Sequence, residues 1–249
     1  MSHPPQPGLE RFRHIAIEGP IGAGKSSLAR RLAAHMGAEL MLERADENPY
    51  LERFYADVPG YAFQTQVFFL FQRMRQVREL AQPGMFSQGN EGPLPSSLDP
   101  SGAGSARRDL GLPGCVVSDF MLAKDALFAR MNLSDEEYHL YGQMYAQVAQ
   151  QLPQPDLVIW LQATPATLVQ RIRQRGIGME QRIAPAYLQK LCDAYADYFQ
   201  GFDGAPLMVV NSEHFNPVER AQDFHALVDA LAAFEGRRTV FDLSPEQPG

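Results

Sequence analysis

Only two cysteines, Cys115 and Cys192, occur in the 249 residues, and there is a single tryptophan. Two thiols so far apart give neither a disulfide framework nor a metal-ligand cluster. The expected state is two free thiols in a reducing, cytoplasmic setting. Positive charge is in deficit: Lys plus Arg total 22 against 29 Asp plus Glu, a net charge of −7. An acidic chain repels a polyanion, which argues against a broad nucleic-acid face, although local cations can still hold one phosphate group. No apolar run approaches the roughly 18 residues that a membrane-spanning helix needs. Residues 1–8 are polar and Pro-rich, without the basic start and apolar centre of a signal peptide. Residues 82–114 contain no Val, Ile, Tyr or Trp and are dense in Pro, Gly and Ser. Such a stretch buries too little apolar surface to offset its chain entropy, so it reads as a flexible insertion. The tail at 235–249 reads as loose for the same reason.

What is present is enough for one core. Hydrophobic residues make up 45% of the chain, and a single domain of this length is routine. Strands are expected at 14–18, 38–42, 114–117, 156–161 and 206–210. Helices are expected at 25–36, 61–80, 134–151, 165–175, 185–202 and 217–234. Leu28, Leu32 and Met36 share one helical face. Ser134 with Glu137 three residues on is a capping-box pattern, and Pro165 suits a first helical turn. Five strands separated by helices imply an α/β fold with a five-stranded parallel sheet, helices on both faces and right-handed crossovers.

Gly19-Pro20-Ile21-Gly22-Ala23-Gly24-Lys25-Ser26 fits G-x-x-x-x-G-K-[ST] between an expected strand and an expected helix. Glycines let the backbone curl so that N–H groups, including those of Gly22, Ala23, Gly24 and Ser27, point at phosphate oxygens. The helix adds its positive N-terminal end. Lys25 suits the β- and γ-phosphates of ATP, and Ser26 offers a hydroxyl to Mg²⁺. GTPases, ATPases and kinases all carry this loop, so the remaining motifs must decide among them.

Five segments taken together resemble the deoxynucleoside kinase family, including its bacterial deoxyadenosine and deoxyguanosine kinases. They are IEGPIGAGKSS at 17–27, ENPYLERFY at 47–55, FQTQVFFLFQR at 63–73, KDALFA at 124–129 and LQATPATLVQRIRQRG with MEQRI across 161–183. The resemblance implies a P-loop kinase with a lid, acting on a deoxynucleoside with ATP and Mg²⁺, and commonly a homodimer. It assigns Glu47 as the general base for the 5′-hydroxyl. Gln66 and Arg73 would meet the nucleobase edge, and seven-residue spacing puts both on one helical face. Tyr55 and Glu180 would hold the 3′-hydroxyl, and Tyr61 and Phe128 would line the base pocket. Arg171 and Arg175 would form the lid clamp over ATP, where guanidinium groups offset developing charge. Asp119 would reach Mg²⁺ through water. The chain departs from the family pattern in three places. Phe120 follows Asp119 where many members have Arg, Ile177 stands where a further lid Arg is common, and Lys124-Asp125 replaces a lone Asp. Two other readings stay open at this point: a nucleoside monophosphate kinase of thymidylate-kinase type, and a non-catalytic nucleotide-binding protein.

Overall fold

The structure, a computed structural model, describes residues 8–57, 60–81, 115–149, 154–217 and 219–243. The expected insertion at 82–114 lies outside the described residues. The chain runs β1 (His14–Glu18), α1 (Lys25–Met36), β2 (Glu39–Met41), a 3-10 turn (Ala45–Glu47), α2 (Leu51–Tyr55), α3 (Ala62–Ala81), β3 (Val116–Ser118) and α4 (Ala123–Asn132). It continues through α5 (Asp135–Ala149), β4 (Leu157–Gln162), α6 (Pro165–Arg175), a second 3-10 turn (Glu180–Arg182), α7 (Pro185–Gln200), β5 (Leu207–Asn211), α8 (Ala221–Ala232) and β6 (Arg238–Phe241).

The strands form one sheet in the order β2-β3-β1-β4-β5-β6, and every pairing is parallel. Alternation along the strands divides the core. Ile15, Ile17, Ile159 and Val210 face α1, α6 and α8 through Leu28, Leu32, Leu168 and Leu227. Ala16, Val158, Trp160 and Val209 face Leu191, Tyr195 and Phe199 of α7. A third cluster joins α3, α4 and α5 through Leu70, Ala129 and Tyr141. Each fully buried leucine contributes about 1.5–3 kcal/mol of transfer free energy. Local signals start the helices: the Ser134 and Glu137 backbone N–H groups each donate to the other residue's side chain, at 3.0 and 3.2 Å. The N–H of Thr167 donates to the Thr164 hydroxyl ahead of Pro165. Among the described residues, no helix is long and apolar enough to cross a membrane.

Two elements depart from expectation. The sheet has six strands, because residues 238–241 of the expected loose tail pair with β5 as an edge strand. An edge strand packs one face only, and β6 alternates exposed with half-buried positions, so its short RTVF sequence carries little apolar signal. The helix α4 was represented in the sequence only by a motif. Its buried face includes Lys124 and Asp125, which erases the apolar periodicity that marks a helix.

His14, at the start of β1, is buried beside β3. Its Nε2 lies 2.9 Å from the Ser118 hydroxyl, and its Nδ1 has no partner among the described residues. Burial pulls its pKa down to about 4, against the opposing pull of Asp156. A histidine kept neutral in the fold but free to protonate once unfolded stabilises the protein fully above its ordinary pKa. That stability is lost as pH falls from about 6.5 through about 4, by about 3 kcal/mol in all. Wild type is therefore expected to lose ground to His14→Gln over this window in urea-unfolding curves. Parallel pH profiles for the two proteins would refute the assignment.

Candidate active site

The β1–α1 loop lies at the carboxyl end of β1, with β3 on one side and β4 on the other. This is the point where the chain reverses direction across the sheet, the usual ligand crevice of an open parallel sheet. Gly19 has φ 146°, and a Cβ there would meet the Leu161 carbonyl at 2.5 Å, so only glycine lets the loop pass so close to β4. The Lys25 ammonium donates to the Pro20 carbonyl at 3.1 Å. Burial and the neighbouring Lys124 charge bring the Lys25 pKa down to about 8. The Ser26 hydroxyl donates to Asp119 at 2.5 Å, and the other oxygen of that carboxylate accepts the Glu43 backbone N–H at 2.7 Å.

A cavity opens beside Lys25. Its walls include Gly19, Lys25, Glu43, Tyr55, Gln66, Phe69, Arg73, Lys124, Asp125 and Phe128, and its volume is about 60 Å³. Arg73, only 1% exposed, bridges Asp125 and Glu43 with its guanidinium. The Phe69 and Phe120 rings lie 5.1 and 5.2 Å from that guanidinium. Lys124 donates to the second oxygen of Glu43 at 2.7 Å. Burial alone would raise the Glu43 pKa, but Lys124, Arg73 and Lys25 together hold it down at about 2. The Glu43 carboxylate is therefore ionised throughout the neutral range.

The structure brings most of the expected residues to one place. Lys25, Tyr55, Gln66, Arg73 and Phe128 line this cavity, and Ser26 and Asp119 meet beside it. Arg175 and Glu180 form an ion pair, and both act electrostatically on Tyr55. A groove of about 730 Å³ shares Phe54 and Tyr55 with the cavity and runs out along Ile183, Ala186, Tyr187 and Lys190. A cavity of this size holds a few waters.

Three of the expected site residues make their contacts outside this cavity. Glu47 points outward: its side chain is 39% exposed, takes hydrogen bonds from Gln72 and Arg75, and pairs with Arg44. Glu43, two residues past β2 and ahead of the 3-10 turn at 45–47, lines the cavity with Lys25 instead. Tyr61 accepts from Arg53 at 2.9 Å under a cation–π contact at 5.1 Å, at the start of α3 and outside the cavity walls. Arg171 is tied to the β5 end, donating to the Ser212 hydroxyl at 3.1 Å and the Ser212 carbonyl at 2.5 Å. Glu43, which the sequence reading did not single out, is a carboxylate that shares this cavity with Lys25. The available signal was position, since ligand-facing groups in parallel sheets gather at the carboxyl ends of strands.

The family profile described as deoxynucleoside kinase matches residues 15–234. The chain is a member of the deoxynucleoside kinase family. This kinase is 32% identical over 181 residues to the deoxyguanosine kinase of Bacillus subtilis, spanning 73% of the present chain and 75% of that protein. It is 26% identical over 227 residues to the deoxyadenosine/deoxycytidine kinase of the same organism, covering 88% and 91%. In fold the kinase is similar to the deoxyadenosine kinase of M. mycoides solved with dCMP and dCDP. The TM-score is 0.68 at 24% identity, over 89% of this chain and all of that one.

A buried carboxylate behind the loop completes the site. Glu18 is fully buried and accepts from the Met121 N–H at 2.7 Å and the Tyr195 hydroxyl at 2.9 Å. Burial raises its pKa against the pull of Lys124 and Lys25. It ties the phosphate loop of the kinase to the β3–α4 connection and to α7.

Proposed function

We propose that this kinase transfers the γ-phosphoryl group of ATP to the 5′-hydroxyl of a purine deoxynucleoside. The observation that carries the reading is the shared cavity of the Glu43 carboxylate and the phosphate-loop Lys25. A nucleoside entering by the Tyr55 groove would place its hydroxyl between the two. As the 5′-oxygen bonds to the γ-phosphorus, the bond from that phosphorus to the β–γ bridging oxygen breaks and ADP leaves. The hydroxyl proton passes to Glu43. Lys25 follows the β- and γ-phosphates, and Arg175, which ends α6 and pairs with Glu180, would bring a lid guanidinium to the same charge. Gln66, whose amide can both donate to and accept from a base edge, lines the cavity together with Arg73. Tyr55 and Glu180 suit the 3′-hydroxyl.

The Ser26 hydroxyl and Asp119 carboxylate offer only oxygen donors, which fits Mg²⁺, an ion usually held by one or two protein oxygens plus substrate phosphates. When bound, Mg²⁺ neutralises charge on the transferring phosphoryl group. A purine acceptor is supported by the deoxyguanosine and deoxyadenosine kinases among the relatives, and deoxycytidine is the next candidate. A homodimer goes with this reading, because Phe71 on α3 and Leu140 on α5 are 46% and 50% exposed on helices that pack together.

The test is ADP formation with each of the four deoxynucleosides and their 5′-monophosphates. Turnover is expected with deoxyguanosine or deoxyadenosine and not with 5′-monophosphates, which have no free 5′-hydroxyl to attack the γ-phosphorus. Turnover confined to monophosphates would overturn the assignment of the acceptor. Nucleotide binding with no turnover would overturn the enzymatic reading.

A further inference from the structure

Lys124 has no place in the mechanism so far, yet its ammonium is buried in the transfer site. The side chain is 8% exposed, donates to Glu43 at 2.7 Å, and lies 5.4 Å from the centre of the Phe128 ring. Lys25 and Lys124 both line the cavity described above. Two ammonium groups thus face one small cavity. Lys25, Arg73 and Lys124 supply three positive charges to its walls, against the two carboxylates Glu43 and Asp125. Next to Asp119, Phe120 brings a ring and no charge; its contact is with the Arg73 guanidinium at 5.2 Å. Arg73 is committed to Asp125 and Glu43. Arg73 and Lys124 hold different oxygens of Glu43, and Lys25 is the cation that the Gly-rich loop brings to the same cavity.

A chain of net charge −7 does not gather like charges at a buried point without cost. An anion arriving between the lysines removes the repulsion, and the effect is largest when charge is spread over a transferring phosphoryl group. We infer that Lys124 is a second transfer-site lysine, which holds Glu43 toward the acceptor hydroxyl and places a positive charge opposite Lys25 across the transferring phosphoryl group. The inference rests on the reading of Glu43 and Lys25 given above. Lys124 is a positioning residue toward Glu43 and, through its charge, a stabiliser of the transition state.

The experiment compares wild type, Lys124→Gln and Lys124→Arg, with deoxyguanosine and deoxyadenosine as acceptors. Glutamine can still donate to Glu43 but brings no charge, whereas arginine brings both. Lys124→Gln should lower kcat about a hundredfold, with KM for ATP and Kd for the nucleoside within about threefold of wild type. Lys124→Arg should recover kcat to within about tenfold. A second readout does not depend on turnover. ADP, Mg²⁺, fluoroaluminate and nucleoside should assemble a tight complex, followed by Trp160 fluorescence, in wild type and Lys124→Arg but not in Lys124→Gln. If Lys124→Gln keeps kcat within about threefold, or forms the fluoroaluminate complex as wild type does, the inference is overturned. A parallel loss of kcat, nucleoside binding and melting temperature in Lys124→Gln, unrelieved by arginine, also overturns it, because Lys124 would then be structural. Failure of the underlying reading looks different: wild type itself would turn over no deoxynucleoside.

Discussion

Replacing Glu43 by Gln should lower kcat by about a hundredfold to ten-thousandfold, the usual contribution of a positioned general base. An amide cannot take the hydroxyl proton, and it also leaves Lys124 and Arg73 facing a neutral group. ATP affinity should stay close to wild type, because the phosphate loop is anchored by its own backbone and by Lys25. The companion measurement is Glu47→Gln, expected within about twofold of wild type, since an exposed ion pair contributes little. Steady-state ADP formation under saturating ATP reads both. The assignment fails if the two variants change places, with Glu47→Gln inactive and Glu43→Gln near normal.

The largest expected effect on stability belongs to Arg73→Leu. The guanidinium is 1% exposed and bridges two carboxylates, one of which, Asp125, is equally buried. Removing it leaves Asp125 without its closest counter-charge in a low-dielectric site, a loss of about 3–5 kcal/mol. Glu43 fares better because it keeps Lys124. The double replacement Arg73→Leu with Asp125→Leu should recover much of that loss, because well-packed apolar groups often match a buried ion pair in stability. Urea-unfolding midpoints of the three proteins test this. A single variant within about 1 kcal/mol of wild type would show that the pair is not the anchor of this wall. Both variants should lose nucleoside turnover, which separates the role of the pair in the site from its role in the fold.

Much of the molecule was legible along the chain. Apolar periodicity and local punctuation placed α1, α6 and α7 to within two residues, because helices are specified by contacts three and four residues apart. The capping box at Ser134 and the proline at the start of α6 were local signals of the same kind. The expected strand and helix on either side of the Gly-rich loop likewise stand as β1 and α1. Legibility failed where a residue's meaning depended on what lay across the cavity. Glu43 and Glu47 are four residues apart in one acidic stretch, and nothing local distinguishes them. The distinction comes from Arg73, 30 residues away, and Lys124, 81 residues away, both of which bond Glu43 rather than Glu47.

By itself, then, the sequence determined the parallel α/β scaffold, the Gly19–Ser26 phosphate loop and the helical face that carries Gln66 and Arg73, all properties of short stretches of backbone. Only the tertiary structure decided which carboxylate faces Lys25, that Arg171 bonds to Ser212 and Tyr61 to Arg53, that residues 238–241 join the sheet edge, and that Lys124 enters the site. Those outcomes follow from charge pairing and burial between segments far apart in the chain. The free energy of such pairing depends on distance in space and on the surrounding dielectric, neither of which a linear sequence contains.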